Sequence, residues 1–420
     1  MSPAREVVIT GLGIVSPIGI GTNAVWNSLC ARQSGVRPLT AFASGSFLPF
    51  GAEVLGFDPK EYVKPRKSLK VMSRDIQFGV TAADLAKADA GLAEATLDPE
   101  RLGVVFGADL MHCQLEDVEN AYRRCIVEGR FDFRRWGPAA MEEVYPLWML
   151  KYLPNMPACH VAIAHDARGP NNSHSLAEAS SLISVAEAFR VIQRGHADVM
   201  IAGGASSRIH PTLWARSSLL PVSHRDGDPA KASRPFDADR DGFVNGEGAA
   251  AFILESREHA FARGARVRAS ILGLGNFFEP RVDGRPLQGV ATRRAIAAAL
   301  KMAELGPRDV GHVNAHGMST IDDDRAEAQA IRAELGDAPV TAPKSFFGNL
   351  GAGGGAVEMA VSLLALEHRT TPVTLNYERP DPECPVNVVH SQPLAAGAST
   401  ALLLNQSPMG QSVALLIAAE

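Results

Sequence analysis

The chain has 420 residues, 46% hydrophobic and 21% charged, with a formal net charge of -5. That length carries one large or two medium domains, and the slight acidity offers nucleic acid no basic surface. No apolar run approaches the ~20 residues needed to cross a bilayer, and the opening MSPAREVVIT lacks a signal-peptide core, so a strand is expected almost at once.

Val7 to Ile14 (VVITGLGI) reads as a strand running into a Gly-rich turn, and its GLG does not complete a G-x-G-x-x-G nucleotide fingerprint. A helix begins over Trp26 to Leu29 and closes at Ser34-Gly35-Val36. Met72 to Ala90 has helical spacing through Ile76, Val80, Ala83 and Ala86, and Arg101 to Ala108 is a second β-run. Residues 109–157 are irregular, aromatic and charged. Within them, Tyr145 to Pro157 is apolar enough to form a buried cap, a subunit surface or a ligand wall. The five cysteines (Cys30, Cys113, Cys125, Cys159, Cys384) are odd in number and widely spaced, without a C-x-x-C pair. They argue against disulfides and a zinc site, and fit apolar filler in a reducing cytoplasm.

Val161 to His165 leads into Gly169 to Gly204, the stretch around which the chain is organised. A Gly-Pro turn and a polar run reach Ala177-Glu178. A helix follows through Leu182, Val185, Phe189 and Ile192 and stops at Arg194-Gly195. A buried strand, Ala197 to Ala202, is expected to end at Gly203-Gly204. A turn entering a buried helix aims backbone N–H groups and a positive dipole at its occupant, a common seat for a nucleophile. Here the occupant is Glu178.

Arg216 to His224 reads as loop. Arg234 to Glu255 (RPFDADRDGFVNGEGAAAFILE) has a polar half suited to a network of Asp237, Arg240, Asp241 and Glu247, then a strand over Ala250 to Leu254. Val267 to Gly275 is a strand, Gly289 to Leu305 an Ala-rich helix, Val310 to His316 a strand and Asp322 to Leu335 a helix. Val340 to Lys344 enters SFFGNLGAGGG, a small-residue helix runs from Ala356 to Leu366, and strands cover Thr400 to Leu404 and Val413 to Ala418. Strands alternating with helices predict parallel sheets packed between helices. The turn-and-helix at Gly169 to Arg190 is echoed by Gly348 to His368. The echo divides the chain into residues 1–258 and 259–420 with the site between them, an insertion over 109–157, and no linker.

These motifs resemble the β-ketoacyl-acyl-carrier-protein synthases of the thiolase superfamily. The family's elbow T-A-C-x-S-G falls on Leu176-Ala177-Glu178-Ala179-Ser180-Ser181, its R-P-F-D-x-x-R-D-G-F-V-x-G-E-G-A on Arg234 onward, and its N-A-H-G on Asn314 to Gly317. The Gly-Gly that often follows the second strand is here Met111-His112. The resemblance covers nearly the whole chain. It implies a duplicated five-layer α-β-α-β-α thiolase fold, usually a dimer, no cofactor and no metal, and as partner an acyl carrier protein bearing a phosphopantetheine-linked acyl or malonyl group.

The same resemblance names the candidate site and its departures. Glu178 replaces the acylated cysteine. His316 keeps the first imidazole, and Lys344 and Glu327 match the family lysine and acid, a pair expected to fix its surroundings; Asp324 matches the other acidic position. Asn349 replaces the second imidazole of K-S-x-x-G-H; it can hydrogen-bond a carbonyl but carries no charge. Met318 replaces a Thr expected to hold the pantetheine arm, while Ser319 and Thr320 remain. The family's oxyanion loop G-F-G-G-T-N falls on Ser407-Pro408-Met409-Gly410-Gln411-Ser412, where Pro408 has no N–H to give. Nucleophile, second histidine and oxyanion donor depart together, against ordinary condensation. Three readings remain open: a chain-length-factor-like subunit paired with an active ketosynthase, an enzyme that decarboxylates malonyl-carrier protein or uses Glu178 and His316 as acid and base, and a carrier-docking protein without a small-molecule site. Homodimer and heterodimer are both open.

Overall fold

A computed structural model describes residues 5–40, 49–92, 97–281, 285–395 and 397–420. The first four residues of the opening stretch lie outside them. The first half contains β1 (Val7–Ser16), α1 (Arg74–Asp89), β2 (Leu102–Ala108), α2 (Met156–His165), β3 (Asn171–His174), α3 (Ser180–Gln193), β4 (Val199–Ser207) and β5 (Glu247–Ser256). The second half contains β6 (Ala269–Phe278), α4 (Val290–Ala303), β7 (His312–Asn314), α5 (Ile321–Leu335), β8 (Pro339–Thr341), α6 (Gly354–Glu367), β9 (Asn387–Val388), β10 (Thr400–Gln406) and β11 (Gln411–Ala419).

The strands run in the order β9-β8-β7-β10-β11-β6-β1-β5-β4-β2-β3. The pairing repeats. In the first half β1 is antiparallel to β5 and β5 to β4, whereas β4, β2 and β3 are parallel. In the second half β6 is antiparallel to β11 and β11 to β10, whereas β10, β7 and β8 are parallel. The halves join where β1 meets β6, Val8 opposite Ser270. The sheets are therefore mixed, where strand–helix alternation alone predicts parallel ones. In the second half a tight turn returns β10 as β11, and in the first half a long connection returns β4 as β5; both return strands pair antiparallel.

Three apolar clusters define the layers. The central one holds α3, α6 and one face of the strands facing them, including Phe252, Leu254, Leu415 and Ile417. A second packs α1 and α2 on the other face of the first half, including Ala251 and Ile253. A third packs α4 and α5 on the other face of the second half, including Leu402 and Leu416. Alternate residues of one strand thus enter different cores. This is why β5 reads as an unbroken apolar run rather than an alternation. The result is the five-layer thiolase fold. Among the described residues, no helix is long and apolar enough to cross a membrane.

Four local expectations change. The strand expected to stop at Gly203-Gly204 continues to Ser207. Its glycines serve close approach, since a Cβ on Gly203 would sit 2.1 Å from Ala250 O. The polar run after Pro170 is β3, a strand at the sheet edge, and Val161 to His165 ends α2. The Arg216 to His224 loop contains a single turn over Ser217–Leu219. The charged residues of the Arg234 motif reach outward more than toward one another. Asp237 pairs with Arg234 at 3.0 Å, Arg240 with Asp381 at 2.6 Å, Glu247 with Arg74 at 2.6 Å, and Asp241 accepts from Ser223 Oγ at 2.7 Å.

Candidate active-site cavity

The elbow is built on strain and glycine. Ala177 has a φ of 50°, in the left-handed region, and Ala177–Ala179 form one tight turn before α3. Ser180 Oγ accepts from Leu176 N–H at 2.8 Å and donates to Ala177 O at 2.6 Å, so this hydroxyl holds the turn. A Cβ on Gly107 would lie 2.6 Å from Ser181 N, and one on Gly204 2.5 Å from Ala352 O. Only glycine lets β2 and β4 sit this close to the turn and to the second half.

Glu178 is the fully buried product of that turn, 2% exposed. Its Oε1 accepts from Asn349 Nδ2 at 2.9 Å and from Arg208 Nη2 at 2.9 Å. Arg208 Nη2 also reaches Asp109 Oδ2 at 3.2 Å. Burial works against the guanidinium charge, but the Glu178 and Asp109 carboxylates outweigh it and raise its pKa. Asn349 is itself held by Gly351 N–H on Oδ1 at 2.9 Å.

His316 follows β7 and is anchored from both sides. Glu327 accepts the His316 N–H at 2.7 Å and the Gly317 N–H at 2.8 Å. Lys344 Nζ reaches His316 Nδ1 at 3.1 Å and His316 O at 2.6 Å. The lysine's ion pair is with Glu358. This corrects the expected Glu327–Lys344 pair: Glu358 arrives from α6, an element whose side of the site the local motif does not encode. Glu358 accepts in turn from Asn405 Nδ2 at 2.7 Å. Burial, then the Lys344 and Arg208 charges, hold His316 well below its usual pKa. An ammonium only donates, so the neutral ring keeps its hydrogen on Nε2. Burial pushes Glu327 up to about 8 against its two backbone donors, and Asp324 up to about 7.

The remaining candidates divide. Met318 and Pro408 line the cavity; Ser319, Thr320 and Gly410 do not. Ser319 Oγ accepts from Arg234 N–H at 3.0 Å, and Thr320 Oγ1 donates to Asp323 at 2.9 Å. Both hydroxyls serve the loop. Pro408 lies in the turn between β10 and β11. Its carbonyl accepts from Arg281 Nε at 2.8 Å, and the neighbouring Ser407 N–H is spent on Gln411 O at 2.8 Å. Gly410 makes that turn possible with a φ of 104°.

The cavity measures about 290 Å³ and brings together Glu178, Arg208, Asp109, His316, His112 and Gln406. Asn349 does not line it; it stands behind Glu178 through their hydrogen bond. Met318, Phe243, Leu220 and Leu287 supply apolar wall. No cysteine lines it, and among the described residues no cluster of His, Cys, Asp or Glu is arranged to hold a metal ion. Arg208 and Asp109 escaped the sequence reading. Both stand immediately after parallel strands, β4 and β2, where open α/β sheets place their ligands. That position was a usable signal once the strand ends were known.

Two family models match. The beta-ketoacyl synthase N-terminal domain covers residues 4–260 and the C-terminal domain residues 269–378. A 3-oxoacyl-[acyl-carrier-protein] synthase 2 from Synechocystis sp. is 36% identical over 411 residues, 95% of this chain and 94% of that one. The ishigamide ketosynthase/chain length factor superposes with a TM-score of 0.87 at 27% identity, over 99% of this chain and 100% of that one. A chain from a complex of a type II polyketide synthase acyl-carrier protein with its ketosynthase superposes with a TM-score of 0.84 at 29% identity, over 99% and 100%. Matched along both halves, with Glu178 of the elbow and His316 lining one cavity and Lys344 held against His316, the chain belongs to the beta-ketoacyl synthase family.

Proposed function

We propose that this chain is a non-condensing member of the family, acting in fatty-acid or polyketide synthesis. It receives a carrier-borne acyl or malonyl group without becoming acylated, and it pairs with an active ketosynthase in the manner of a chain length factor. The observation that carries this reading is the elbow itself. Glu178 sits where a thiol would attack, and Arg208 and Asn349 hold it in place. A carboxylate is a poor acyl acceptor because the mixed anhydride is itself reactive. The likeness to the ishigamide ketosynthase/chain length factor and to the carrier-protein complex supports the choice of partners. The test is co-expression with an active ketosynthase of the same synthase. A stable one-to-one complex is expected, with carbon–carbon bond formation only when the partner is present. Condensation by this chain alone would overturn the reading.

One observation favours a second reading, an enzyme without a covalent intermediate. Glu178 and His316 line the same cavity. A carboxyl and an imidazole lining one space can move a proton on a bound thioester or assist malonyl decarboxylation. Acetyl-carrier protein appearing from malonyl-carrier protein with this chain alone would select that reading.

A further inference from the structure

The cavity wall carries an imidazole outside the family's reactive motifs. His112 lies on the loop after β2 and lines the cavity with Glu178 and His316. Met111-His112 stand where the family often has Gly-Gly, so the ring is an addition of this chain. Asn349, which replaces the family's second imidazole, stands behind the wall. The cavity has thus lost an imidazole from the second half and gained one from the first.

The added ring is held in place but not spent. It stacks on His210, with centroids 5.3 Å apart and planes 26° from parallel. His210 is 5% exposed and its Nδ1 accepts the Thr212 N–H at 3.1 Å, so the brace is itself fixed. The loop is pinned on both sides of His112. Asp109 reaches Arg208 at 3.2 Å, and the Gln114 N–H donates to the Tyr152 hydroxyl at 3.1 Å. Among the described residues, neither ring nitrogen of His112 has a hydrogen-bond partner. The side chain is only half-buried, and its nitrogens are accessible rather than sealed in the wall.

Burial and then the Arg216 charge lower the His112 pKa, with Asp109 pulling the other way and Arg208 adding to the fall. The ring is therefore neutral at neutral pH and offers one N–H donor and one acceptor. A saturated acyl thioester has one strong acceptor beyond its pantetheine arm, the carbonyl oxygen.

We propose that His112 is the second imidazole of this cavity. From the loop after β2 it donates a hydrogen bond to the thioester carbonyl oxygen of a bound acyl group, in place of the imidazole lost at Asn349. The proposal rests on the reading that the cavity receives a carrier-borne acyl group, and it names the residue that holds that group's carbonyl.

The test is calorimetric titration of the full chain, in the assembly in which it purifies, with butyryl-pantetheine and with S-butyl-pantetheine, in which a methylene replaces the carbonyl. The native chain should bind the thioester roughly five- to ten-fold more tightly than the thioether. His112→Phe keeps an aromatic face for His210 and removes the nitrogens, so that preference should fall to about two-fold or less. His112→Gln loses the stack but keeps an N–H donor, and should retain most of the preference. A ring that merely braced the loop would give the opposite pattern. A preference kept in His112→Phe, lost in His112→Gln or absent from the native chain would overturn the proposal alone. No binding of either compound by the native chain would overturn the acyl-receiving reading with it. His112→Leu serves as the nitrogen-free variant if His112→Phe does not fold.

Discussion

At the scale of single residues, Arg208 is the group on which the site's charge depends. It balances two carboxylates inside the protein, and removing one partner of a buried pair leaves charge without compensation. Arg208→Met is expected to cost about 3–5 kcal/mol in equilibrium denaturation, and Glu178→Gln in the same chain should recover part of the loss. Glu178→Cys is expected to remain unable to condense. Asn349 still replaces an imidazole, Pro408 has no N–H, and a lost oxyanion donor alone is worth ~3–4 kcal/mol of barrier. Turnover with a carrier-bound acyl donor and malonyl-carrier protein reads this out; robust condensation would show that the Pro408 turn does not bear on the reacting carbonyl. Glu178, His316 and Asn349 were all recognisable in the sequence from local motifs. The Lys344–Glu358 pair was not, because 14 positions of chain and a second turn separate its partners.

At the scale of elements, the turn and the helix behind it depend on small residues. Gly107→Ala would push β2 against the first turn of α3, with a Cβ 2.6 Å from Ser181 N. A loss of about 1–3 kcal/mol is expected, together with weakened ligand binding as Glu178 shifts. Normal stability and binding would mean that α3 can slide. Strand β7 makes a second prediction. His312 is buried, and burial lowers its pKa from 6.5 to about 4. Above pH 6.5 the ring is neutral in both folded and unfolded chains. Below it the unfolded chain takes up a proton that the folded chain refuses, so this ring's contribution to stability is lost as pH falls toward about 4. The loss is on the order of 3 kcal/mol. His312→Gln, which can keep the bond to Ser362 Oγ, should flatten that part of the stability curve relative to the parent. Urea midpoints across the window measure the difference, and parallel curves would refute it.

At the scale of the whole molecule, β3 ends the sheet with exposed Asn171 and Asn172, and its outer backbone edge is open to another strand. Asn171→Pro, whose N–H points away from β2 toward the open edge, is expected to weaken association with a second subunit while sparing the fold. Sedimentation of the purified assembly checks it; unchanged association would locate the subunit contact elsewhere. The sequence by itself determined the duplicated strand–helix order, the three substitutions at the family's reactive positions and the buried helix behind Glu178. Each is written in a short window, where periodicity, glycine and motif spacing speak directly. Only the tertiary structure decided that the sheets are mixed, that Arg208 pairs with Glu178 and with Asp109 together, that Ser319 and Thr320 serve the loop, and that Asn349 stands behind the cavity wall. Those facts depend on which strand ends meet across the two halves, and no local pattern records a contact made between residues so far apart along the chain.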